Sequence, residues 1–304
     1  MSKYRVWILL IVCNLFWAGN YVFGKYVTAE MTPLAITFSR WVLAVLLLFP
    51  TAHFLEKPEW RKAGKSWKPL VMMGILGIIC YNLSLYAALD YTSATNAALV
   101  NSLAPGTIAV LSVIMLGERI SKLQILGILI SLIGVLLVLT EGNLMEVFQM
   151  QYNRGDLIML FAVVVWTLYS IIGKRVGNMI PPITATAISA LFAIALMLPF
   201  IIREGMNLTQ LSLLAIIGVL YIAICASVCS FVFWNMAIRE IGASKAGIFI
   251  NLMPVFTALI SWSLGESITA AQIAGGLFVF TGVYFTTGML ERKLKERQQE
   301  KLSV

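Results

Sequence analysis

Stretches of about 20 consecutive, mostly apolar residues are the length that a bilayer demands of one helical crossing. This chain of 304 residues contains ten of them. They cover roughly residues 6–24, 34–54, 69–89, 93–116, 121–140, 155–173, 181–202, 210–237, 243–264 and 268–290, each ended by charges, Gly, Pro or Asn. Ten spans use roughly 200 positions and leave about 100 for short connections, which excludes any large soluble domain. Composition agrees: 60% of residues are hydrophobic and 12% charged, with a mean hydropathy of +0.90. A soluble chain carries about 25% charge. The expected class is an all-α integral membrane protein with ten transmembrane helices.

The first stretch follows Lys3 and Arg5, as a secretory signal does. It is too long for one, ends at Gly24-Lys25 without a small-residue cleavage pattern, and resembles the sixth stretch, so it counts as a span. With residue 1 placed inside, 18 of the 22 Lys and Arg fall on the cytoplasmic side. Only Lys25, Arg154 and Arg203 fall outside, and Arg40 lies within the second span. That positive-inside bias predicts a multi-pass cell-membrane protein with both termini cytoplasmic and a solvated, charged tail over 291–304. It also accounts for the net charge of +8 without nucleic acid as a partner.

The chain repeats itself with inverted topology. At an offset of 149, Trp17 matches Trp166, Gly24-Lys25 matches Gly173-Lys174, and Pro33, Pro50 and Pro105 match Pro182, Pro199 and Pro254. After a one-residue gap, at an offset of 148, Leu116-Gly117-Glu118 matches Leu264-Gly265-Glu266, and Gln124, Gly127 and Gly134 match Gln272, Gly275 and Gly282. Each half, 5–141 and 154–290, holds five spans. Because five is odd, the second half enters the membrane upside down relative to the first. Inverted halves are a construction of secondary transporters, whose substrate site lies near the midplane between the repeats.

On these features the chain resembles the EamA family of the drug/metabolite transporter superfamily. The residues that carry the resemblance are Phe16-Trp17-Ala18-Gly19-Asn20, the helix-breaking Pro105 and Pro254, and the Leu-Gly-Glu endings at Glu118 and Glu266. The resemblance spans about residues 5 to 290. It implies export or uptake of small metabolites such as amino acids, without a bound cofactor.

Candidate site residues follow from what a bilayer makes expensive. Arg40, about seven residues inside the second span, either snorkels to the outer headgroups or faces a cavity, where it would favour a carboxylate-bearing substrate. Pro105 and Pro254 each free a backbone carbonyl at matching places in the fourth and ninth spans, either as packing kinks or as broken helices lining a substrate path. Asn101 and Asn251 lie four and three residues before them. Aromatics and amides gather in the first, third, sixth and eighth spans: Trp17, Asn20 and Tyr21; Tyr81, Asn82 and Tyr86; Trp166 and Tyr169; Trp234 and Asn235. Trp and Tyr also populate interfacial belts, but amides in lipid need protein or a cavity to face. The expected cavity is lined by spans one, three, four, six, eight and nine. Glu118 and Glu266 end their spans at opposite faces, as gates or proton sites or as helix-end carboxylates that organise a turn and pair with a neighbour such as Arg119. Gly127 with Gly134, and Gly275 with Gly282, mark spans five and ten as packing scaffold or as a homodimer surface.

Other classes fit poorly. The single histidine, His53, argues against a His-ligated metal, and Cys225 and Cys229 share a helix face with no further ligand evident. Cys13 and Cys80 also sit inside apolar runs and imply no disulfide framework. Gly64-Lys65-Ser66 resembles the end of a phosphate loop, but position 59 is Glu where that loop requires Gly. No central carboxylate pair or nucleophile with a base points to an enzyme. The expectation is a secondary transporter exporting amino acids or related amphipathic compounds by alternating access. Multidrug or cation efflux is the alternative, and a channel or sensor a more distant one.

Overall fold

The computed structural model describes residues 3–89, 91–92, 94–149, 153–205, 211–265 and 267–287, and the regular structure among them is helical. Nine helical stretches are long and apolar enough to cross a membrane: Tyr4–Thr28, Pro33–Glu56, Trp67–Ala88, Ala97–Leu116, Lys122–Leu139, Arg154–Gly177, Pro182–Glu204, Leu213–Ile241 and Ala243–Ser263. A tenth apolar helix, Ala270–Thr286, has 17 residues. Its rise of about 25 Å is at the short end for a crossing. These are spans one to ten, and the protein is an all-α integral membrane protein. The tail 291–304, the end of the second half at 288–290 and Glu266 lie outside the described residues.

Span starts are set by local chemistry that repeats between the halves. Pro33 and Pro182 open spans two and seven, where a missing N–H costs nothing. Ser121 and Thr269 cap spans five and ten through matched capping boxes. The Gln124 N–H donates to Ser121 Oγ at 3.2 Å and Gln272 N–H to Thr269 Oγ1 at 3.1 Å, while each glutamine oxygen accepts from its own cap N–H. Each such cap contributes about 1 kcal/mol.

Consecutive spans run antiparallel, so the connections alternate between two faces. The face where span one begins is here called proximal, the other distal. Carboxylates at span ends tie one repeat to the other. At the proximal face Glu56, ending span two, accepts from Ile183 N–H, Thr184 N–H and Thr184 Oγ1 at 2.9, 2.8 and 2.6 Å. At the distal face Glu204, ending span seven, accepts from Thr32, the cap of span two. Spans two and seven are repeat mates, so each closes the other's start. Distally too, Glu30 accepts from Ser212 N–H at 2.8 Å and Ser212 Oγ at 2.6 Å, which holds its carboxyl below the usual range.

Spans five and ten cross through their glycines. A Cβ on Gly134 would lie 2.6 Å from Gly275 O, and one on Gly127 would lie 2.6 Å from Gly282 O. The pairing is reciprocal, as an inverted repeat requires. Of the two expected roles for these glycines, the fold uses packing within the chain.

Departures from regular helix in four spans position the site. Spans three and eight contain wide-turned π segments, Gly74–Cys80 and Ile222–Cys229, at matching places in the two repeats. Span four breaks between Asn101 and Ala104, and span nine tightens into a 3-10 turn over Ile248–Asn251. Pro105 and Pro254 fall in the first turn after each break. The discontinuity thus precedes the proline, whose ring disfavours helical geometry in the residue before it.

Candidate substrate cavity

A cavity of about 680 Å³ runs from the middle of the molecule to the distal rim. Its walls come from spans one, three, four and nine, including Asn20, Tyr86, Asn101, Asn251 and Pro254. Spans five and ten also contribute, through Val138, Leu139 and Gln272. These two spans are scaffold at their crossing and cavity wall at their distal ends, which corrects the expectation that they stand apart from the path.

The floor is a narrower space of about 20 Å³ that shares Asn20, Tyr21, Leu85, Asn101, Ile250 and Met253 with the main cavity. It adds Trp17, Arg40, Tyr81, Asn82, Trp166 and Phe231. Spans six and eight, expected as walls, enter only here. Trp17 and Trp166, repeat mates in sequence, meet edge to face with ring centroids 5.2 Å apart. A residue touching its own repeat mate marks the pseudo-twofold axis, which therefore passes through the cavity floor. Tyr81 and Phe231 close around Trp166 at 4.9 and 5.5 Å, and Trp17 Nε1 donates to Ala226 O at 3.1 Å.

Arg40 does not snorkel; it is 1% exposed. Its Nε donates to Ser227 Oγ at 2.7 Å, and its Nη1 donates to Asn82 Oδ1 and Tyr86 Oη, both at 3.0 Å. One π segment supplies Ser227, and the other ends just before Asn82. Asn82, two residues beyond Cys80, is held by donating to Gly77 O and Ile78 O at 3.2 and 2.8 Å, both within that π segment. Ser227, inside the other, donates to Ile222 O at 3.1 Å. All three acceptors are neutral, and no carboxylate lies within ion-pair distance of Arg40 among the described residues. Nη2 of its five-donor fork makes no hydrogen bond to a described residue. The floor is therefore an electropositive pocket with donors to spare.

Of the expected site residues, Trp17, Asn20, Arg40, Tyr81, Asn82, Asn101, Trp166, Asn251 and Pro254 line the cavity or its floor. Asn251 also donates to Ser131 Oγ at 2.9 Å, tying the broken span nine to span five. Tyr169, Trp234 and Asn235 do not reach this cavity; they pack on the proximal side of the aromatic floor. Asn235 Nδ2 donates to Tyr169 Oη at 2.7 Å and Thr186 Oγ1 at 3.0 Å, and Trp234 Nε1 donates to Ser170 Oγ at 3.3 Å. Glu118 ends span four at the proximal face, where its carboxylate docks on the start of span nine. It accepts from Ala243 N–H at 3.0 Å, Ser244 N–H at 3.1 Å and Ser244 Oγ at 2.5 Å. Gly242, at φ +90°, is required beside it: a Cβ there would meet the carboxylate at 2.7 Å.

Sequence reasoning missed Ser227 as a site residue. A serine in an apolar run is unremarkable, and only the π turn aims it at Arg40.

Ten spans in two inverted halves around a half-buried polar cavity define the class: a polytopic transport protein. The EamA-like transporter family model matches twice, over residues 5–140 and 153–288, and the chain belongs to this family. It is 30% identical over 292 residues to the uncharacterized transporter YyaM of Bacillus subtilis, covering 95% of this chain and 96% of that one. It is 27% identical to an uncharacterized transporter of Archaeoglobus fulgidus, covering 92% and 96% of the two chains. A solved crystal structure shares the fold with a TM-score of 0.79 at 19% identity, covering 96% of this chain and 99% of its own.

Proposed function

We propose that this transporter carries a small carboxylate-bearing metabolite, an amino acid or related amphipathic compound, across the cell membrane by alternating access. Its net direction in this reading is export. One observation carries the substrate class: Arg40 is a buried cation at the cavity floor with neutral partners and an unused edge. A buried charge of this kind is costly unless something compensates it, and a substrate carboxylate placed against Nη2 would do so with charge-assisted hydrogen bonds. The surrounding Trp17, Tyr81 and Trp166 offer apolar area for the rest of such a solute. A cationic substrate would meet repulsion at Arg40, which ranks cation efflux second. The excess of Lys and Arg on the proximal connections supports placing that face, and both termini, in the cytoplasm. The cavity then opens outward in this conformation, the posture of an exporter ready to release.

Counterflow in proteoliposomes with a panel of labelled amino acids, nucleosides and cationic drugs tests the reading. Accumulation confined to carboxylate-bearing members is expected, and removing the carboxylate, as in an amino acid amide, should abolish it. Accumulation of cations alone would overturn the assignment.

A further inference from the structure

Tyr169, Trp234 and Asn235 are polar or aromatic residues inside the molecule that the distal cavity does not use. Their positions in the repeat account for them. At the offset of 149, Tyr169 is the mate of Asn20, Trp234 of Leu85 and Asn235 of Tyr86. All three of those mates line the distal cavity. The hydrogen bonding around Asn235 is also incomplete. Its two Nδ2 protons are donated to Tyr169 and Thr186, but Oδ1 is buried with no hydrogen-bond partner, and Ser189 Oγ, the mate position of Arg40, is likewise buried and unpartnered. A buried acceptor left unsatisfied calls for an explanation. One is that it is satisfied in a second conformation.

We propose that Asn235 and Tyr169 form a second substrate contact, used when the transporter is open to the proximal face, and that this contact takes the hydrogen-bond-donor end of the solute, its ammonium or hydroxyl group. The inference rests on the alternating-access reading above. Two inverted repeats that exchange conformations exchange their linings: what Asn20, Leu85 and Tyr86 line distally in one state, Tyr169, Trp234 and Asn235 line proximally in the other. The exchange is unequal in charge. Asn235 Oδ1 and Tyr169 Oη can accept hydrogen bonds, and Ser189 stands where the distal site has the Arg40 guanidinium. The carboxylate is therefore held more strongly from the distal side, by about tenfold if one charge-assisted hydrogen bond is replaced by a neutral one.

Thiol accessibility tests this without knowledge of the substrate. Asn20→Cys, Asn235→Cys and Ser189→Cys are each made and exposed to a membrane-impermeant maleimide in membrane vesicles of either orientation, with the parent protein and its four native cysteines as the baseline. Asn20→Cys should react from the distal side alone. Asn235→Cys and Ser189→Cys should react from the proximal side alone. Ser189→Cys is nearly isosteric and guards against misfolding of the other variant. If neither proximal cysteine reacts from the proximal side in protein that still performs counterflow, or if either reacts from the distal side, the proposal is wrong. Loss of carboxylate selectivity in the panel would instead defeat the substrate assignment while leaving this labelling pattern intact.

Discussion

In the proposed reading, Arg40 is the residue that recognises the substrate. Its fork spends three donors on Ser227, Asn82 and Tyr86, and Nη2 makes no hydrogen bond to a described residue. Arg40→Gln should reduce counterflow of a carboxylate substrate about ten- to hundredfold, the worth of one charge-assisted hydrogen bond. Arg40→Lys should fall between, because an ammonium keeps the charge and loses the planar fork. Side-by-side binding measurements on purified, monodisperse variants check both. Equal affinity in Arg40→Gln and the parent protein would remove Arg40 from the site. At the same scale Glu118 differs from its expected pairing with Arg119. Its carboxylate is taken by three donors at the start of span nine, a better-satisfied position than a surface ion pair, since orphan helix N–H groups and the helix dipole both favour an anion there.

Among the elements, spans four and nine combine a tight turn with a following proline, and spans five and ten are locked by glycine. These should respond oppositely to substitution. Pro105→Ala and Pro254→Ala each allow a continuous helix, so they should slow exchange more than they weaken binding. Binding and counterflow on the same variant separate the two; a collapse in affinity with unchanged turnover would make the prolines part of the site. Gly134→Val places a side chain against Gly275 O and Val279 N, at 2.6 and 2.7 Å from the new Cβ, and must push two backbones apart. Overpacking of this kind costs about 1–3 kcal/mol. Gly106→Ala meets nothing within 4 Å and serves as the control. Thermal unfolding in detergent should show a clear fall for Gly134→Val and no fall for Gly106→Ala.

For the whole molecule, the reciprocal contacts between repeats place the two halves as inverted copies about an axis through Trp17 and Trp166. This geometry gives the proximal and distal faces equivalent machinery, and the proposed orientation rests on the charge distribution alone. A cysteine introduced at position 295 should be labelled by an impermeant reagent only after permeabilisation of the cell. Labelling from outside intact cells would reverse the orientation and with it the direction in which the cavity opens.

The sequence by itself determined the ten spans and the two inverted halves, because these follow from hydropathy and parity, which are properties of the chain; it marked the glycines as close-packing positions, and the structure paired span five with span ten through them. It also marked Asn20, Asn82, Asn101, Asn251 and Arg40, since amides and an arginine inside a span must face something polar, and Trp17, Tyr81, Trp166 and Pro254 by clustering or repeat position. The tertiary structure decided which of the marked aromatics and amides share one cavity. Asn20 and Tyr169 are equivalent in the repeat, yet one lines the distal opening and the other is packed beneath the floor, because an asymmetric conformation of symmetric halves opens only one end. It also decided the π turns of spans three and eight, which no residue pattern announced. A wide turn shifts the facing of every residue beyond it, so Ser227 and Asn82 reach Arg40 by backbone geometry that helical periodicity does not encode.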